Sequence, residues 1–481
     1  MSLATSRRVF RVFSGLVFAI PGIALAAVEF QIGLNFTGST LHLNAENSPP
    51  NANGASGLHH YVEIVNGRYA VYDKISGDVV ASSTDRAFWS AGGISFAPDI
   101  EVSDPRVLFD PLSQRWFASG LDLRRSTFEE NRLLLGVSKT SNPLDGWNSL
   151  AFDPDTLTSY FSDFPTLGID ANGVYVGANF FEIGATAAVG KTVVSIPKID
   201  LLSGIPSVAN RTGFGLLSAT VGGLTIQPAV NFDPTAKQEH FLGQGPLISH
   251  QLRLTSIENA SGPGSPTLSS TTNITVPAYG PTGGLLQPDN TTSLRNIDNR
   301  LGAMVYEVNG VLYSVQVTSA AGRSAIRWYR VAAASGLLLE SGTLSEAGVD
   351  YSFPSIAANE NGIVMIGFNK SSATEFVSSY AAAGETVAGV TTVGAPFLLK
   401  AGVANYHYFP VNGLSRWGDF SSIGVDPTDP NVFWTNQEFV SAPDVWSTQI
   451  TAIRIVPEPS VSTFFGATAL LLVFFRTRSR R

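Results

Sequence analysis

The chain contains no cysteine. That excludes thiol nucleophiles, disulfides and cysteine-held zinc or iron–sulfur sites. Charge is sparse: Asp, Glu, Lys and Arg make up 14% of the 481 residues, against about a quarter in ordinary globular chains. Six histidines are present and only His59-His60 are adjacent. With no HExxH pair, no zinc site of about three ligands is written in the sequence. No Gly-x-Ser-x-Gly nucleophile elbow occurs, and Ser138 to Trp147 matches the Asp-box turn of sialidases only distantly. No long period-3.6 segment runs between residues 28 and 455, so helices do not carry the fold.

What is abundant points to strands and turns. Hydrophobic residues make up 44%, with 46 glycines and 27 prolines. Setting aside the three arginines of residues 1–26 and the four of residues 476–481 takes the net charge from −8 to −15. An acidic body disfavours nucleic acid, whose phosphates demand cationic patches. It is compatible with divalent cations or simply with solubility.

The two ends read as addresses. Arg7, Arg8 and Arg11 precede an apolar run from Val12 to Ala27 that includes Ala24-Leu25-Ala26, a small-x-small cleavage pattern. Residues 1–26 are therefore expected to be a signal peptide, with Ala24 and Ala26 at the cleavage site. Ser6 to Arg11 also fits a twin-arginine export motif. At the other end Val456-Pro457-Glu458-Pro459 stands before an apolar run, Val461 to Phe475. Arg476, Arg478, Arg480 and Arg481 follow, as in a stop-transfer segment held by cytoplasmic cations. The order and spacing of these parts resemble the PEP-CTERM sorting tail. The resemblance implies an exosortase-type enzyme as partner, Pro457-Glu458-Pro459 as its recognition element, a short C-terminal transmembrane helix before processing, and a bacterium that makes exopolysaccharide. A plain membrane anchor is the alternative reading of the same residues.

Between the ends, a hairpin signal recurs: alternating apolar runs flank Asn66-Gly67, Asn172-Gly173, Asn309-Gly310 and Asn361-Gly362. Asp110-Pro111 and Asp426-Pro427 mark two further turns. Each unit opens on a related mark: Asp104-Pro105, Asp163-Phe164-Pro165, Gln227-Pro228, Asp298, Ser352-Phe353-Pro354 and Asp419-Phe420. Their spacings are 59, 64, 71, 54 and 67 residues. Loose repetition at this period predicts the four-stranded blades of a β-propeller over residues 27–455. The count is seven, because the Val62–Tyr72 hairpin precedes the first mark; six is the alternative. Stacked β-sandwich domains are the competing architecture. Asp104-Pro105, Arg115-Trp116, Gly146-Trp147, Asp163-Phe164-Pro165 and Arg416-Trp417-Gly418-Asp419-Phe420 resemble a class of secreted bacterial propeller-like proteins. That resemblance implies a fold and a compartment but no chemistry.

Candidate sites follow from the marks. Asp104, Asp163 and Asp419 open comparable units and are expected near one mouth of the ring. There they are candidate Ca²⁺ ligands, or structural carboxylates that tie neighbouring blades through backbone N–H groups. A sialidase-like site would need clustered arginines, from Arg106, Arg115, Arg300 and Arg416, with Tyr351 or Tyr406 as nucleophile. The simpler expectation pairs Arg115 with Asp110 and Arg416 with Asp419. The tryptophans at 89, 116, 147, 328, 417, 434 and 446 suit either sugar stacking or blade cores. The expected function is a non-enzymatic protein of the cell surface or extracellular matrix, binding glycan or protein through loops on one face. A carbohydrate hydrolase or lyase, or a purely structural envelope protein, is the alternative.

Overall fold

The computed structural model describes residues 28–456 apart from 129, 155–159, 186, 246–248, 261–264, 409 and 412. The signal segment, Pro457 to Pro459 of the sorting motif, the expected transmembrane helix and the terminal arginines lie outside the described residues. Among the described residues no helix is long and apolar enough to cross a membrane.

The fold is all-β and propeller-like, 56% strand and 3% helix. It is a succession of antiparallel meanders, each of four main strands. The first runs through Asn53–Ser56, His60–Val65, Arg68–Asp73 and Val79–Ser83. The second comprises Ile100–Asp110, Arg115–Arg124, Arg132–Ser138 and Trp147–Phe152. The third begins with Tyr160–Ile169, the fourth with Gln227–Asn231, the fifth with Val305–Val308 and the sixth with Val349–Ala358. The closing meander takes Ser422–Asp426, Asp429–Ala442 and Val445–Ile455, and its fourth strand is the N-terminal Phe30–Thr40. The leading strands of the third, fourth and fifth meanders pair in parallel, Ile169 with Val230 and Ala229 with Val305.

Two local devices recur. In the second, third and sixth leading strands, the register breaks at Ser103/Arg106, Asp163/Thr166 and Ser352/Ser355. Each break holds a proline, and the residue before it has positive φ: Asp104 (56°), Phe164 (56°) and Phe353 (48°). Proline has no N–H for the ladder, so the strand bulges there and re-aims its neighbours. Three of the six opening marks of the sequence, Asp104-Pro105, Asp163-Phe164-Pro165 and Ser352-Phe353-Pro354, are thus bulges inside leading strands, whereas Asp298 and Asp419-Phe420 precede theirs and Gln227-Pro228 pairs without a break. The second device stands at the far end of those strands. Asp110, Asp170, Asn231, Asn359 and Asp426 each accept a backbone N–H two residues on with the side-chain oxygen, a turn that Asp and Asn favour. Of the Asn-Gly pairs, only Asn309-Gly310 has positive φ at both residues, as a type I′ hairpin turn requires. Asp170 and Asn359 shape the turns at Asn172-Gly173 and Asn361-Gly362 instead.

The core lies between neighbouring meanders. Leu108, Phe117 and Leu135 of the second pack with Leu167, Ile169 and Val176 of the third. Tyr61 and Tyr72 of the first pack with Trp434 and Ile450 of the closing one. All seven tryptophans are buried, so they serve packing and not an exposed sugar platform.

Candidate binding cleft at the entrance to the leading strands

The bulges place polar groups from distant parts of the chain at one mouth. Asp104, Asp163, Asp419 and Arg416 line a cleft of 990 Å³. Asn51, in the polar loop ahead of the first meander, holds two of the aspartates: its Nδ2 donates to Asp104 Oδ1 at 2.6 Å and to Asp419 Oδ2 at 3.3 Å. Its Oδ1 accepts the Asp419 N–H at 3.0 Å. Asn66 Oδ1 accepts the Asp104 N–H at 2.9 Å. Arg416 donates to Asp419 at 2.7 Å. Arg106 is fully buried beneath, donating to the carbonyls of Pro165 and Gly302. Arg300 pairs with Asp298 at 2.6 Å and lies 4.8 Å over the ring of Phe164.

Burial, then the charges of Asp163 and Asp419, pushes the Asp104 carboxyl up to about 7. Asp163 is raised by burial and by Asp419. Burial lowers Arg106 to about 9, so it stays charged at neutral pH. Asp419 beside it holds Arg416 more firmly protonated. The convergence of Asp104, Asp163 and Asp419 expected from their repeat positions is present, but guanidinium and amide groups share the space. Among the described residues no three acidic or histidine side chains are grouped to hold a metal ion.

Of the four candidate arginines, Arg106, Arg300 and Arg416 reach this mouth. Arg115 does not: it sits at the far end of its meander, on the carbonyl of Gln114. Its expected partner Asp110 pairs with Lys198 of the third meander at 2.9 Å, because the buried Asp110 carboxylate faces across the sheet boundary. Tyr351 donates to Glu346 at 2.9 Å. Tyr406 is buried and bonded to Ser48 at 3.0 Å. Neither tyrosine lines the cleft. His59 and His60 lead into the second strand of the first meander, outside the cleft.

One wall was not foreseen in the sequence. Phe128 and Phe161, both half-buried, line the cleft with ring centres 4.9 Å apart. Phe161 stacks on Phe181, its cross-strand partner, at 5.3 Å. Phe161 and Phe181 stand twenty residues apart in sequence, and only the strand register makes them neighbours.

No protein-family model matches the chain, and no curated protein matches it. Several solved structures are similar to it at low identity. A protein of unknown function from Dyadobacter fermentans is 9% identical, covering 76% of this chain and 97% of its own, with a TM-score of 0.41. The extracellular domains of Drosophila Semaphorin 1b are 7% identical over 89% and 88%, with a TM-score of 0.40. The WD40 domain of SCAP from fission yeast is 8% identical over 82% of each chain, with a TM-score of 0.33.

Proposed function

We propose that the meanders are the seven blades of a closed β-propeller, and that the chain is an exported protein of the cell surface or extracellular matrix that binds glycan at the entrance cleft. Residues 1–26 direct export. Residues 456–481 hold the protein at the membrane until an exosortase-type enzyme processes them. The observation that carries the binding reading is the Phe128–Phe161–Phe181 row beside a floor of Asn51, Asp104, Asp163, Arg416 and Asp419. Aromatic faces pack against the apolar C–H face of a sugar ring, while carboxylates, amides and guanidinium groups bond its hydroxyls.

The test is binding of the purified protein to an array of bacterial polysaccharides, with and without Ca²⁺, with released reducing ends assayed in the same wells. Binding without product, weakened at least tenfold by Phe161→Ala, supports the reading. A carbohydrate hydrolase is the second reading, favoured by the Asp104 carboxyl near 7 among arginines, in the range a general acid needs. Product release lost in Asp104→Asn would establish it. Silence in both assays removes the glycan reading. The sorting reading is tested by intact mass: Glu458→Ala leaves the tail uncleaved, whereas the unaltered chain loses it.

A further inference from the structure

A second cavity, of 500 Å³, opens at the opposite ends of the leading strands. Its walls come from the leading strands or adjoining turns of the first, second, fourth, fifth, sixth and closing meanders. Their apolar part comes from Val107, Phe109, Val230 and Met304, which are buried, and from Tyr306 and Val425, which are half-buried; Ser56, Asn231, Asn359 and Ser422 add polar groups. The charged groups of the lining are Asp233, Glu307 and Glu360, with no lysine, arginine or histidine among them. Asp233 and Glu360 are exposed, so the charge stands at the rim and the apolar surface lies inside. Bonds from the side chain and backbone of Thr235 hold Asp233 below the usual carboxylate range, and it is ionised at neutral pH. Glu307 is bonded to His240 at 2.8 Å. His240 and Lys237 belong to the adjoining groove.

We propose that this cavity takes a small organic cation, its apolar body inside and its ammonium group at the Asp233–Glu360 rim. The volume is within the range of small-molecule sites, roughly 300–1,000 Å³. An apolar interior supplies the burial term. A rim of one sign of charge selects the head group and rejects anions.

The probes are hexylammonium, hexanol and hexanoate, titrated calorimetrically into the full chain in detergent. Hexylammonium is expected to bind saturably, and hexanoate at least tenfold more weakly. Asp233→Asn and Glu360→Gln should each weaken hexylammonium by roughly threefold and together by about tenfold, as exposed ion pairs do, with the effect shrinking in salt. Val425→Trp should fill the cavity and abolish binding while leaving the melting temperature and glycan binding at the other mouth unchanged. No saturable binding, equal binding of hexanoate, or indifference to both rim substitutions would overturn the proposal.

Discussion

The guanidinium carbon of Arg106 lies 3.4 Å from the ring centre of Phe420. One residue belongs to the second leading strand and the other to the segment entering the closing meander, so the contact joins parts of the chain more than 300 residues apart. Phe164 meets Phe420 edge-on at 5.8 Å, and the arginine is fixed by two backbone carbonyls. The pair thus seals the entrance cleft from below. Phe420→Ala should cost about 3–5 kcal/mol, the usual loss for a buried aromatic. Arg106→Lys loses the planar face that lies on the Phe420 ring. In urea unfolding the double variant should fall short of the summed losses by about 0.5–3 kcal/mol. Full additivity would show that the two side chains act independently.

Glu63 ties the first meander to the closing one in the same way at the sheet boundary. It is fully buried, and accepts hydrogen bonds from Ser39 at 2.7 Å, Tyr72 at 2.8 Å, Thr448 at 2.5 Å and Asn436 at 3.1 Å. These donors come from the N-terminal strand, the first meander and the closing meander. Glu63→Ala removes the acceptor these four donors share and leaves Arg68 without its nearby carboxylate, a loss of about 3–5 kcal/mol. Limited proteolysis should then cut first within residues 28–40. Cleavage elsewhere first would mean that the N-terminal strand is held by its backbone ladder alone.

Glycines separate two kinds of constraint. At Gly168, in the third leading strand, a Cβ would stand 2.5 Å from the Ala229 carbonyl oxygen of the fourth. The strands can approach this closely only because no side chain intervenes. At Gly310 a Cβ would meet nothing within 4 Å, and only the φ of +71° resists substitution. Gly310→Ala should therefore cost about 1–2 kcal/mol, and Gly168→Ala clearly more. Their denaturation midpoints in parallel decide it; equal losses would mean that the leading strands separate freely.

The sequence carried the architecture because its marks have a mechanical cause. A proline within a strand favours a bulge, and an Asp or Asn at a strand end builds a turn, so Asp104-Pro105, Asp163-Phe164-Pro165 and Asp110 could be read without coordinates. The leading strand Asn53–Ser56 could not: four small or polar residues have no alternating apolar pattern, and their burial comes from neighbouring meanders. The convergence of Asp104, Asp163 and Asp419 followed from their equivalent places in the repeat. Their company did not. Asn51 reaches Asp419 across 368 positions, and the aromatic wall depends on register. Asp110 met Lys198 instead of Arg115 because the buried carboxylate faces the lysine across the sheet boundary, while Arg115 turns to the carbonyl of Gln114.

The carboxyl of Asp104 gives the fold a pH dependence of definite sign. Its value in the folded state is raised to about 7 by burial and by Asp163 and Asp419, while in the unfolded chain it titrates near 4. The folded state therefore binds the extra proton more tightly. The group's contribution is fully present below about pH 4 and is lost as pH rises through about 7. Asp104→Asn keeps an oxygen to accept from Asn51 but removes the titration. Stability of the unaltered chain should fall between about pH 4 and 7 relative to the variant, and the difference between the two curves should flatten above about pH 8. Urea midpoints at closely spaced pH values measure it. A difference that rises with pH would mean that the neighbouring arginines, and not burial, govern this carboxyl.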